Sequence, residues 1–241
     1  NRSDFGKGTS EQVEHRAEYK IMEPFLKNLS RDARILDGGC GLGAWTLGLS
    51  SMGYKVTGMD LSEETIRKLR KMFPGQRFES GDLRATMFGD DEFDAYFSWG
   101  VFEHFEVGLG PCLIEAQRIV RKNGYLFVSV PFHNRRLWRR DHMPLGVVDP
   151  DYLRDGGYAK PMRFYQWRLT EQELQRELEL HGFTVHSVTP LHKEVGVHRM
   201  LVTDYGVPAN SVLHNVLMKL LSPVLPAGYI ANMVMAVGLK R

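Results

Sequence analysis

Cysteine is scarce in this chain. Cys40 and Cys112 are the only two in 241 residues, with no CxxC pair and no Cys/His spacing suited to a metal. A disulfide framework and a zinc site are therefore not expected, no metal is assigned, and a reducing cytoplasm is the compartment that fits. Long apolar runs are also missing: nothing approaches the ~20 residues that cross a bilayer, and the first residues carry no apolar signal core. Nor is there an excess of one charge, since 31 Lys and Arg stand against 29 Asp and Glu, a net of +2. That balance argues against broad binding to a phosphate backbone, so no nucleic-acid partner is expected. Internal repeats are absent.

What is present is ordinary for a folded protein, with 43% hydrophobic, 25% charged and 11% aromatic residues. The length corresponds to about 1.6 domains of typical size. We read it as a single domain, 1–241, opening with a helix over 11–29 whose Val13, Ala17, Ile21 and Phe25 fall at helical spacing. Ala33–Asp37 is a short apolar strand running into Gly38-Gly39-Cys40-Gly41-Leu42-Gly43 and then the helical stretch Ala44–Ser51. Tyr54–Asp60 and a helix opened by Ser62 follow, with Glu63 and Glu64 in its first turn. A weak strand near Arg77–Glu79, a strand at Phe93–Ser98, a helix over Leu109–Arg121 and a strand at Tyr125–Pro131 continue the alternation. Strands alternating with helices in this way predict an α/β fold with a doubly wound parallel sheet.

The rhythm breaks at 132–169, read as an insertion. It resumes with core residues 170–190, where Thr170 and Glu173 form a capping-box pattern and Phe183–Val188 alternates as a strand. A second insertion, 189–230, contains an apolar helical face over Ser211–Leu221 that ends before Pro223 and Pro226. The final strand is placed at 232–239.

The glycine string carries the chemistry. Glycines permit a tight turn and close approach of a ligand, and the helix that follows presents unpaired N–H groups. Asp60 ends the second strand, 17 residues beyond Gly43. A carboxylate there can accept both hydroxyl hydrogens of a ribose, or cap the next helix. Asp82 and Leu83 follow the third strand, suited to an adenine amino group and ring or to a plain surface turn. These features converge at the carboxyl edge of the sheet, where open α/β folds bind ligands. Gly39-x-Gly41-x-x-Ala44 also passes for a dinucleotide fingerprint, leaving an NAD(P)-dependent oxidoreductase as a rival reading. Asp37, however, would set a negative charge beside a dinucleotide phosphate and suits a cationic ligand better.

Together these motifs resemble the class I S-adenosylmethionine-dependent methyltransferases, in the group that includes the ubiquinone and menaquinone biosynthesis enzymes. Phe93-Asp94-Ala95-Tyr96-Phe97-Ser98, continuing through Trp99, Glu103 and His104, resembles that family's fourth-strand motif. Leu113–Pro131 resembles its next helix and strand, with Asn123-Gly124 in place of the commoner Pro-Gly or Gly-Gly. The resemblance implies a Rossmann-like, seven-stranded, mostly parallel sheet with an antiparallel last strand and lid insertions. It implies S-adenosyl-L-methionine as cofactor and S-adenosyl-L-homocysteine as product. Asp37, Gly39, Cys40, Gly41, Gly43, Asp60, Leu61, Asp82, Leu83 and Ser98 would be the cofactor-binding residues. A scaffold protein that binds the cofactor without turnover is the second rival reading.

For an acceptor hydroxyl a base is needed, and His104 is the candidate catalytic residue, with His133 and His142 as alternatives. The first insertion carries eight basic against four acidic residues. Its His133, Arg135, Arg136, Trp138 and Arg163 are the candidate substrate contacts, since guanidinium forks pair with phosphate or carboxylate and aromatic rings stack. A small-molecule acceptor, anionic or lipid-linked, is expected. The apolar face over Ser211–Leu221 suggests a core-packed helix, a cover for a lipid-like substrate, a peripheral membrane contact or a dimer face.

Overall fold

The computed structural model describes residues 10–30, 32–142 and 164–241. Seven strands, β1 (Arg34–Gly38), β2 (Lys55–Asp60), β3 (Arg77–Ser80), β4 (Phe93–Trp99), β5 (Val120–Pro131), β6 (Phe183–Leu191) and β7 (Met233–Lys240), form one sheet in the order β3-β2-β1-β4-β5-β7-β6. Neighbours run parallel from β3 through β5, and β7 lies antiparallel to both β5 and β6. This is the doubly wound, mostly parallel α/β sheet with an antiparallel last strand.

Strand alternation explains the layers. Successive side chains point to opposite faces, so Ile35, Ala95, Phe97, Phe127, Met235 and Val237 pack on one side against α2 (Ala17–Leu26) and α3 (Ala44–Ser51). Leu36, Tyr96, Leu126, Val128, Val234 and Ala236 pack on the other against α5 (Gly110–Ile119) and α7 (Glu171–Leu180). Between these helices in the chain come α4 (Glu63–Met72), laid on β2 and β3, and α6 (Arg135–His142) after β5. The capping box at Thr170 and Glu173 opens α7, and Ser62 caps α4 by accepting the Thr65 N–H.

Several expectations are corrected. The helix expected over 11–29 is two helices, α1 (Ser10–Glu14) and α2, broken at His15 and Arg16, where the Arg16 guanidinium lies 5.2 Å from the centre of the Trp45 ring. The last core strand reaches Leu191, past the expected end at 190, because β7 continues to pair with it. The second insertion then folds as α8 (Lys193–Arg199), a wide helical turn over Met200–Asp204, α9 (Val212–Val224) and α10 (Ala227–Ile230). Helix α9 runs on through Pro223, which a last turn tolerates better than a helix interior. On α9, Leu217, Met218 and Leu221 pack against Val197, Met200, Leu201 and Ile230, while Val212, Leu213, Val216 and Leu220 are exposed, so only part of its expected apolar face is core. No helix among the described residues is long and apolar enough to cross a membrane.

Gly196 fixes how closely α8 approaches α10: a Cβ there would lie 1.7 Å from the Ile230 carbonyl oxygen. Since that obstacle is backbone, Gly196→Ala forces a helix to move. Thermal unfolding should show a loss of about 3 kcal/mol, or roughly 6–12 °C in Tm. An unchanged Tm would contradict this packing.

Candidate active site

The turn after β1 is stitched to the end of β2. The N–H groups of Gly39 and Cys40 both donate to the Met59 carbonyl, at 2.8 and 2.9 Å. The Gly41 N–H donates to Asp60 Oδ2 at 2.9 Å, and the Ser62 N–H to Asp60 Oδ1 at 2.9 Å. Asp60 therefore joins the glycine turn to Ser62, the residue that caps α4. Gly41 has φ +50° and nothing within 4 Å of where a Cβ would stand, so open space lies over the turn. Gly43, at φ +77°, leads into α3.

Asp37 sits beneath this turn, 3% exposed, accepting a hydrogen bond from Thr46 Oγ1 at 2.6 Å. Burial pushes its carboxyl up to about 7, the Thr46 bond opposing and the nearby Asp60 charge adding to the rise. A buried carboxylate raised in this way suits a cationic partner, and the open cradle with a second carboxylate at Asp60 suits a ribose-bearing one. The donor set thus fits a cofactor that combines a charged amino group with a nucleoside.

Other expected cofactor residues have different surroundings. Ser98 is buried and donates to the Gly38 carbonyl at 2.8 Å, so it supports the turn from below. Leu83 is 4% exposed and belongs to the core, while Leu61 is exposed. Asp82 is held by Arg84 through Nε and Nη2, and Arg84 in turn stacks on Phe105 at 4.6 Å. Cys40 is buried, its thiol pushed up by burial and by Asp37 and Asp60, and is unreactive for that reason. Within the described residues no His/Cys/Asp/Glu cluster could hold a metal.

Beyond β4 the loop winds into a short helical turn, Phe102–His104. His104 is about half exposed, and its Nδ1–H donates to the Tyr165 carbonyl at 3.0 Å. That bond fixes the tautomer and leaves Nε2 as the ring's acceptor. In the sequence Glu103, beside it, stands out only as part of a motif. It is 2% exposed, its Oε2 has no hydrogen-bond partner, and burial pushes its carboxyl up to about 7. A buried acid with an unsatisfied oxygen is uncommon in a folded interior and calls for an explanation.

The segment 164–169 straps this loop to β5. The Trp167 N–H donates to the Glu103 carbonyl at 2.9 Å, its Nε1–H to the Phe105 carbonyl at 3.0 Å, and Leu169 bridges Phe132. Gln166 and Arg168 line a neighbouring cavity of about 230 Å³ with Arg136, Arg199, Thr203 and Asp204. Arg136 pairs with Asp204. Asn134, buried, holds the start of α6 by accepting the Leu137 N–H at 2.9 Å and donating to the Ala231 carbonyl at 2.8 Å.

Of the expected substrate residues, Arg136 reaches this cavity. Arg135 and Trp138 are exposed on α6, His133 is half-buried just after β5, and Arg163 lies outside the described residues. The His142 side chain likewise lies outside what the structure describes. Arg199 and Asp204 had no local pattern to reveal them, since the second insertion brings them in from the far end of the chain.

Residues 36–128 match the family described as a methyltransferase domain. The ubiquinone biosynthesis O-methyltransferase of Dechloromonas aromatica is 31% identical over 187 residues, covering 70% of this chain and 77% of that protein. A malonyl-acyl-carrier-protein O-methyltransferase of Erwinia pyrifoliae is 30% identical over 96 residues, 40% of this chain, and the chain spans only 36% of that relative's length. A solved S-adenosylmethionine-dependent methyltransferase from Methanosarcina mazei shares the fold, with a TM-score of 0.59 at 20% identity over 90% of this chain and 97% of that one. The chain belongs to the class I S-adenosylmethionine-dependent methyltransferases, and the dinucleotide reading of the glycine turn is set aside.

Glu103 yields a test of stability. A carboxyl raised in the folded state favours folding at low pH, and that advantage is lost as pH rises from the unfolded value, about 4.5, to the folded value, about 7. Glu103→Gln should therefore raise stability at pH 8 by on the order of 1–3 kcal/mol relative to its effect at pH 4. Equal effects at both pH values in chemical denaturation would contradict a desolvated carboxyl.

Proposed function

We propose that this protein transfers a methyl group from S-adenosylmethionine to a hydroxyl oxygen of a small molecule that carries an anionic group. The observation that supports the reading is that the buried Asp37 under the glycine turn, Asp60 bonded to that turn and the Glu103–His104 turn all follow strand ends at one edge of the sheet. When bound, the cofactor supplies an electrophilic methyl group on a sulfonium. Asp37 holds the amino group, directly or through water, and Asp60 accepts from the ribose hydroxyls. The backbone of Gly39, Gly41 and Gly43 lets the methionine portion lie close.

The chain's remaining task is to set the acceptor oxygen about 3 Å from the methyl carbon and remove its proton. His104, with Nδ1 committed to Tyr165, is placed to take that proton at Nε2. Residues 1–241 act in this reading as one domain, with the two insertions forming a lid over the acceptor. The two free cysteines, both buried, suit a reducing cytoplasm.

S-adenosylhomocysteine should raise the melting temperature and NAD should not. Below about pH 7 Asp37 gains a proton and loses its hold on an ammonium group. Calorimetric affinity for S-adenosylhomocysteine should therefore fall as pH drops from 7.5 to 6, approaching tenfold per unit, and Asp37→Asn should be weak and flat. A wild-type profile without this slope would remove Asp37 from the site. For His104, replacement by Gln should lower kcat by 10²-fold or more with cofactor affinity unchanged. Equal turnover would eliminate it as the base, and cofactor binding without turnover on any hydroxyl acceptor would favour the scaffold alternative.

A further inference from the structure

We infer that the cavity beside the 164–169 strap is the seat for the acceptor's oxyanion, a phosphate or carboxylate, gripped by Arg168 and Arg199. The inference rests on the methyl-transfer reading for the identity of the ligand, and on the cavity alone for its charge. Three guanidinium groups, from Arg136, Arg168 and Arg199, line the cavity against one carboxylate, Asp204. Asp204 is already taken by Arg136, whose Nε is buried with no hydrogen-bond partner. Arg168 and Arg199 make no ion pair among the described residues, so the described lining keeps an excess positive charge. Guanidinium forks match the two oxygens of a carboxylate or phosphate.

Size and position narrow the role. At about 230 Å³ the cavity falls below the ~300–1,000 Å³ of a whole drug-sized ligand site, so it takes one group of a larger acceptor. Its lining includes Pro131, the carboxyl end of β5, the strand beside β4, whose following turn carries Glu103 and His104. The same strap joins the two: Tyr165 and Trp167 bond to the His104 turn, and Gln166 and Arg168 line the cavity. An acceptor anchored by its anion here would reach past the strap toward His104.

Inorganic phosphate and malonate, each titrated calorimetrically into the full chain at fixed ionic strength, test this without turnover. One or both should bind, at least tenfold more weakly in the Arg168→Gln/Arg199→Gln double variant. Both side chains are exposed and unpaired, so the fold should persist. Asp204→Asn, which frees the Arg136 fork, should tighten binding several-fold. Phosphate alone assigns a phosphate-bearing acceptor, and malonate alone a carboxylate. No binding of either anion, or equal binding in the double variant, overturns the proposal. Affinity for S-adenosylhomocysteine should be the same in wild type and the double variant. Its absence in wild type would sink the methyl-transfer reading while leaving the anion result to stand by itself.

Discussion

The active edge depends on one stitch between two neighbouring strands. A glycine turn is intrinsically loose, because glycine gains little from any one conformation. Here the two N–H groups of Gly39 and Cys40 share the Met59 carbonyl, and the third, from Gly41, finds the Asp60 carboxylate. Ser98 takes the Gly38 carbonyl from beneath. The turn is therefore held by the ends of β2 and β4 together. Its shape follows from the parallel register of β1 with both, Gly38 opposite Met59 and Asp37 opposite Phe97. Had β1 been an edge strand, the restraints from one side, three from β2 or one from β4, would be missing.

Two buried carboxyls lie along this same edge, and both are pushed up to about 7, Asp37 and Glu103, chiefly by burial. They are not equivalent. Asp37 has a hydroxyl donor in Thr46 that favours its ionised form, whereas one oxygen of Glu103 has no partner at all. Each costs stability at neutral pH that an apolar residue would not. Costs of this kind persist where a ligand's charge or a proton transfer makes use of them. The contrast with Glu115 is instructive: also buried on the helix behind β4, it is met by Arg118 and by Thr86, and its carboxyl is lowered.

Much of this was legible in the sequence because it is local. A strand, a glycine turn and a helix occupy consecutive residues, and Asp60 ends its strand two residues before Ser62, the cap of the next helix. The capping box of Thr170 and Glu173 lies within four residues. What failed to show was whatever depends on distant segments. The sequence suggests Ser98 as a cofactor contact, and only the fold adds that its hydroxyl also meets the backbone of Gly38, 60 residues away. The sequence suggests Leu83 as an adenine platform, and only the fold shows how far it is drawn into the core after β3. At the break in the first helix Arg16 meets Trp45 on α3, a contact with no local signature. The arginine cavity draws on the end of β5, α6, the strap and three helical segments of the second insertion, so composition showed a basic lid without showing where its charges converge.

The strap at 164–169 explains how one short segment serves two neighbouring sites. An extended chain sends alternate side chains to opposite sides, and here Trp167 goes to the Phe105 carbonyl while Gln166 and Arg168 go to the cavity. The register is set at both ends, by the Trp167 N–H on Glu103 and by Leu169 between Pro131 and His133. A slip of one residue would exchange the two sets of side chains, withdrawing Arg168 from the cavity and Trp167 from the His104 turn at once. Geometry around His104 and charge in the cavity are thus fixed by the same hydrogen bonds. Neither can be altered through the strap backbone without the other.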